Sequence, residues 1–217
     1  IFALRSTDGS VEWQESGSVA PQGVFGVAAP SAGQGTIVAG YSSGELNAYR
    51  YENGRALWAD ALARTSMAVS VSTLTDVDAD PVIDRGRVFA IGQGGRMAAY
   101  ELTTGSRIWE LSLAGISTPW VVGDWVFVVT DDARLFTIAR ATGKVRWIAQ
   151  LPHWKNEEKR KGPIRWTGPV LAGGRLILVS TDGRMATVNP ADGSVVAMTE
   201  IGDGTRLPPL VANNMLY

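Results

Sequence analysis

A tryptophan standing four residues after a glycine recurs along this chain: Gly9 and Trp13, Gly54 and Trp58, Gly105 and Trp109, Gly143 and Trp147. Residues 44–58, GELNAYRYENGRALW, align without a gap with 95–109, GRMAAYELTTGSRIW, and with 133–147, ARLFTIARATGKVRW. A further copy at 183–197, GRMATVNPADGSVVA, has Ala197 in the tryptophan's place, and residues 1–13, IFALRSTDGSVEW, form a copy cut short at its start. Successive tryptophans are 45, 51 and 38 residues apart, and Ala197 follows 50 residues after the last. A fixed core with variable spacers, repeated at this period, restricts the chain to repeat architectures.

Each unit reads as strands. Met97, Ala99 and Glu101 alternate with Ala98, Tyr100 and Leu102. The Thr-Thr-Gly or Ala-Thr-Gly that follows supplies the glycine a tight hairpin turn needs, and a second strand ends on the tryptophan. Two more apolar runs precede each copy: Pro81 to Asp84 then Arg87 to Ile91, Thr118 to Val122 then Trp125 to Val129, and Gly168 to Ala172 then Arg175 to Val179. Arg85-Gly86, Gly123-Asp124 and Gly173-Gly174 between them are hairpin chemistry. Every repeat is therefore four short antiparallel strands.

The expected fold class is all-β, a β-propeller of four-stranded antiparallel blades, because radial packing of blades hides edges that a free sheet would expose. A β-sandwich is the runner-up. The recurring tryptophans Trp13, Trp58, Trp109 and Trp147 favour the propeller, since one large ring per blade fills the wedge against the next. The blades are expected at 24–60, 79–111, 116–149 and 166–199, with half-blades at 1–15 and 207–217. Two half-blades suggest either a ring closed by joining them or a piece of a larger propeller.

Composition narrows the function classes. The chain has 217 residues, 45% hydrophobic and 19% charged, which suits a globular protein with a sizeable core. A net charge of -1 offers no broad electrostatic footprint for nucleic acid or an anionic membrane. Cysteine is absent, which removes disulfides, thiolate metal sites and a cysteine nucleophile.

Ala141-Thr-Gly-Lys-Val-Arg-Trp147 and its relatives ending on Trp13, Trp58 and Trp109 resemble the pyrroloquinoline-quinone-type repeat, the tryptophan-docked propeller unit that quinoprotein dehydrogenases share with non-enzymatic scaffolds. Three stretches bring the chain closer to the BamB family: Leu74-Thr-Asp-Val-Asp-Ala-Asp-Pro81, Gly86-Arg-Val-Phe-Ala-Ile-Gly-Gln-Gly-Gly-Arg-Met97 and Gly115-Ile-Ser-Thr-Pro-Trp-Val-Val-Gly-Asp-Trp125. The resemblance implies a non-catalytic, eight-bladed scaffold of the outer-membrane β-barrel assembly machinery. It implies no cofactor and a lipid anchor, absent from this chain, that holds the protein to the periplasmic face of the outer membrane. It further implies that two loops on one side of the propeller bind the periplasmic (POTRA) domains of BamA, and it leaves room for unfolded outer-membrane proteins as partners. One loop carries Leu74 with Asp76 and Asp78. The other, aligned on Ala29-Pro30, carries Val24 and Phe25, with Phe25 where the family usually has arginine.

The residues themselves leave several readings of the Asp76, Asp78, Asp80 comb. A helix-loop-helix calcium site needs glycine at position six and glutamate at twelve, and counting from Asp76 gives Pro81 and Arg87. Carboxylates two apart on a strand are separated by about 6.5–7 Å, too far to share one tight coordination shell. The only histidine, His153, has no adjoining serine or acid motif for a triad. A solvated loop remains open beside a partner surface, in which Val71, Leu74 and Val77, with Val24 and Phe25, supply the apolar centre. On the partner reading Asp76 and Asp78 face the partner and Asp80, adjoining Pro81, belongs to the turn. The mixed-charge run Trp154 to Lys161 is expected as a solvated loop or a second interaction site. A quinone-dependent periplasmic dehydrogenase and a generic peptide-binding propeller are the competing functions.

Overall fold

The computed structural model describes residues 1–18, 28–62 and 77–217. It forms two compact units, Ile1–Ile116 and Ser117–Tyr217. Among the described residues every regular element is a strand.

The first unit opens with the two-stranded sheet β1 (Phe2–Leu4) and β2 (Val11–Gln14). Two four-stranded antiparallel sheets follow in chain order, β3 (Ser31–Gly33), β4 (Thr36–Gly40), β5 (Glu45–Arg50) and β6 (Ala56–Ala61), then β7 (Val82–Asp84), β8 (Arg87–Gly92), β9 (Arg96–Glu101) and β10 (Arg107–Leu111). The second unit repeats the plan in β11 (Trp120–Val122), β12 (Trp125–Val129), β13 (Arg134–Ala139) and β14 (Val145–Gln150). A separate hairpin, β15 (Trp154–Asn156) and β16 (Lys161–Pro163), precedes the last full sheet: β17 (Trp166–Ala172), β18 (Arg175–Ser180), β19 (Arg184–Val188) and β20 (Val195–Glu200). A short pair, β21 (Val211–Ala212) and β22 (Met215–Leu216), ends the chain. These are propeller blades, each a meander whose strands pair with their sequence neighbours.

Burial explains the strand compositions. The second and third strands of a blade are covered on both faces, so β8 and β9 read as nearly continuous apolar runs, whereas the fourth strands β6, β10 and β14 alternate toward solvent. In the first unit Val38, Leu46, Ala48, Val88, Ala98 and Tyr100 form a core between its two full sheets. In the second unit Phe127, Val129, Leu135, Leu176, Leu178 and Val188 do the same.

Pairing of third with fourth strand is interrupted at the same place in all five copies. Ala3 faces Trp13 while Leu4 faces Val11; Ala48 faces Trp58 while Tyr49 faces Ala56; Ala99 faces Trp109 while Tyr100 faces Arg107; Thr137 faces Trp147 while Ile138 faces Val145; and Thr187 faces Ala197 while Val188 faces Val195. Each shift leaves one extra residue, Glu12, Leu57, Ile108, Arg146 or Val196, immediately before the tryptophan position. A bulge of this kind kinks the strand and re-aims the side chain that follows it.

Three tryptophans are described in contact with the blade that follows. Trp13 Nε1 donates to the Tyr51 carbonyl (3.1 Å), Trp58 Nε1 to Leu102 (2.7 Å) and Trp147 Nε1 to Pro190 (3.1 Å). Each acceptor lies three residues before a positive-φ glycine, Gly54, Gly105 or Gly193, and a Cβ on that glycine would meet the indole at 2.5–2.6 Å. The glycine that closes the hairpin is thus also the bare seat on which the preceding tryptophan rests. Trp109 is buried and lies 6.0 Å from Phe89 of its own sheet.

The run from Trp154 to Lys161 is not a plain loop: β15 and β16 pair through Trp154 with Pro163 and Asn156 with Lys161, and Glu157 accepts from the backbone amides of His153 and Trp154. Backbone pairing needs no apolar face, so a charged sequence carries it. The His153 ring packs against Trp154 at 4.5 Å.

Candidate partner-binding site

The acidic comb sits on the connection from β6 to β7, and its described part keeps a strand-like alternation. Val77 and Ala79 are buried, and Asp78 and Asp80 are half-buried on the other side. Asp76 and Leu74 on this connection, and Val24 and Phe25 on the connection before β3, lie outside the described residues.

Val77 does not form part of an exposed apolar centre. Its side chain joins Leu46, Leu62 and Val88 in the core, its Cγ1 would be 2.5 Å from a Cβ on Gly40, and its amide donates to the Tyr41 carbonyl at 3.3 Å. Gly40 leaves the room that Val77 fills, so the connection is anchored to the preceding blade immediately before Asp78. A valine flanked by two aspartates reads as surface in sequence, whereas the missing side chain that receives it stands 37 residues earlier.

The two described aspartates bind different elements. Asp78 Oδ2 accepts from Gln93 Nε2 at 2.8 Å, and Gln93 stands in the turn between β8 and β9. Asp80 Oδ1 accepts from the backbone amide of Ala29 at 2.6 Å. Beyond any part in the turn before Pro81, Asp80 therefore ties the end of one connection to the end of another, 51 residues away in sequence. Ala29 closely follows Val24 and Phe25, and Asp80 closely follows Asp76 and Asp78. The two segments that the BamB resemblance implicates are thus joined at their described ends.

A cluster of charges joins the fourth strands β6 and β10, at the sheet edge opposite β7. Arg107 donates to Asp60 through Nε at 3.1 Å and also through its terminal nitrogen, and it contacts Glu110. Arg96 donates to the Ala61 carbonyl at 3.0 Å and lies 3.8 Å from Glu110. Burial pushes the Asp60 carboxyl up, and hydrogen bonding led by Arg107 outweighs it, so the group titrates below its ordinary value of 3.8. The arginine is raised in turn, chiefly by its hydrogen bond to Asp60.

Comparison with known proteins bears on both fold and family. The family model described as "Outer membrane protein assembly factor BamB" matches residues 1–149. The assembly factor BamB of Yersinia pestis is 24% identical over all 217 residues, which cover 53% of that protein. The Escherichia coli K12 protein of the same name is 26% identical over 193 residues, 88% of this chain and 47% of its own. The chain thus spans about half the length of the curated relatives it matches. Among solved structures, BamB from Moraxella catarrhalis superimposes with a TM-score of 0.82 at 22% identity, over 100% of this chain and 62% of that one. A europium-containing methanol dehydrogenase gives 0.72 at 15% identity over 92% of this chain and 47% of its own, a likeness of fold alone. With 149 of its 217 residues matched by that model, the chain belongs to the family of the outer membrane protein assembly factor BamB.

Proposed function

We propose that this chain is a non-catalytic scaffold of outer-membrane protein assembly whose β6–β7 connection docks a periplasmic (POTRA) domain of BamA, with Asp76 and Asp78 as its acidic contacts and Leu74, Val24 and Phe25 as its apolar ones. The parent protein then works at the periplasmic face of the outer membrane, lipid-anchored, and unfolded outer-membrane proteins are a further class of partner. The observation that carries this reading is Asp78: half-buried, on the outward side of the 77–80 stretch, and fixed by Gln93. A carboxylate held in place loses little freedom on binding, and three acidic residues at alternate positions steer a basic partner. The relatives' name as assembly factors, rather than as oxidoreductases, favours the scaffold over the quinone dehydrogenase.

The test is binding of purified BamA periplasmic domains by calorimetry. Asp78→Lys should weaken binding at least tenfold while leaving the thermal unfolding midpoint unchanged, and Asp76→Lys should do likewise. Wild-type affinity in both variants would overturn the docking site.

A further inference from the structure

The β15–β16 hairpin carries more positive charge than the chain as a whole. Residues 154–161 hold four cations and two carboxylates, on a chain whose net charge is -1. One of the carboxylates is withdrawn: Glu157 reaches back to the base of the hairpin and accepts the amides of His153 at 3.1 Å and Trp154 at 3.2 Å. Lys155, Lys159, Arg160 and Lys161 are exposed, and none of them forms an ion pair with a described residue. The element that presents them is braced at both ends. The Ile164 amide donates to the His153 carbonyl at 2.7 Å, Trp166 Nε1 to the Pro152 carbonyl at 2.8 Å, and the Lys159 amide to Asn156 Oδ1 at 2.8 Å across the tip.

An open cleft of about 410 Å³ lies against this hairpin, lined by Gln150, Leu151, His153, Trp154, Glu157 and Arg160. Arg160 is the only arginine or lysine in that lining, and the rings of His153 and Trp154, 4.5 Å apart, supply aromatic surface. A guanidinium is a planar fork that takes a carboxylate through two N–H donors, and partial removal from water beside aromatic rings strengthens such a pair beyond a fully exposed one. From the cleft and the uncompensated charge together we infer that the hairpin docks an acidic polypeptide segment, whose carboxylate pairs with Arg160 while a neighbouring aromatic ring enters the cleft against His153 and Trp154. The bracing of the hairpin lowers the ordering cost of that encounter. A membrane surface fits less well: flat anionic headgroups would leave the cleft unused and would meet Glu158 along with the cations. This site lies on the β14–β17 connection and stands or falls independently of the β6–β7 docking site.

Fluorescence anisotropy on the full chain tests it, with a labelled Gly/Ser peptide bearing Asp-Phe-Asp at its centre as the probe. An Asn-Phe-Asn peptide should bind roughly tenfold more weakly, and an Asp-Ala-Asp peptide about three- to tenfold more weakly. Arg160 holds φ at +48°, a left-handed conformation that asparagine also adopts. Arg160→Asn should therefore leave the thermal unfolding midpoint unchanged. The variant should bind the Asp-Phe-Asp peptide roughly tenfold more weakly and the Asn-Phe-Asn peptide as the parent does. In sedimentation with phosphatidylcholine vesicles containing phosphatidylglycerol, the chain should stay in the supernatant. Equal affinity for the acid and amide peptides, full affinity in Arg160→Asn, no saturable binding of the probe, or co-sedimentation with the vesicles that Arg160→Asn abolishes would each overturn the inference.

Discussion

The indole of Trp58 lies where a side chain on Gly105 would be: a Cβ there would approach its Cγ to 2.5 Å, and Gly105 holds φ at +70°. Gly105→Ala therefore meets a steric block and a strained backbone together. We expect it to destabilise the chain by about 2–4 kcal/mol, more than the ~1 kcal/mol of an ordinary incompatible backbone change. Urea unfolding followed by tryptophan fluorescence measures it, and a loss below 1 kcal/mol would refute the seat.

Trp58→Phe separates ring from hydrogen bond. The ring remains over Gly105, but the Leu102 carbonyl loses the donor it holds at 2.7 Å, and about 1–2 kcal/mol should go with it. Trp58→Ala, which also empties the space between the sheets, should cost about 3–5 kcal/mol by the same measurement.

Asp80→Ala should free the Ala29 amide. The stability loss should be roughly 1–2 kcal/mol, and hydrogen exchange at Ala29 should quicken, because its acceptor at 2.6 Å is gone. An unchanged exchange rate at Ala29 would show that Asp80 does not hold the two connections together.

The stability profile in acid should reflect Asp60. Its folded-state pKa is depressed, so its contribution is complete above the unfolded-state value near 3.8 and disappears as the pH falls through the lower folded-state value. Asp60→Asn should be less stable than the parent at neutral pH, and the gap should close as the pH drops below about 4. A gap that widens in acid would reverse the sign and exclude the Arg107 pairing as its cause.

Ser180→Ala should loosen the β18–β19 turn by about 1 kcal/mol, since the hydroxyl both donates to Asp182 and accepts the Arg184 amide. The corresponding change Gln93→Ala should leave unfolding nearly unaltered, because the glycines around Gln93 let the β8–β9 turn form without it.

Local chemistry was readable from the residues. Alternation over 97–102 gives the strands, and Gly9, Gly54, Gly105 and Gly143 give the turns. Longer-range facts were not. The reason Gly54 and Gly105 must lack a side chain lies in Trp13 and Trp58, more than 40 residues earlier. The bulge before each tryptophan leaves no composition signal, because Glu12, Leu57, Ile108, Arg146 and Val196 share no chemistry. Asp78 could be placed on the outward side by its period of two, but Val77 reads as surface until Gly40 is seen across from it. The bond from Asp80 to Ala29 uses a main-chain donor, which any residue but proline supplies, so nothing at position 29 announces it.

The tryptophan docking also bears on how such a chain can drift. What receives each indole is a peptide oxygen and a missing Cβ, joined by a third-strand tyrosine of the receiving blade in two cases, Tyr49 beside Trp13 at 6.4 Å and Tyr100 stacked on Trp58 at 5.6 Å, so the receiving blade needs its glycine but no particular side chain at the residue that accepts the hydrogen bond. Tyr51, Leu102 and Pro190 serve equally as acceptors for that reason. The accepting residue can therefore be exchanged without a compensating change in the neighbouring blade. Homologues that agree at about one position in four can in this way keep a common fold while their connecting loops are free to acquire new partners.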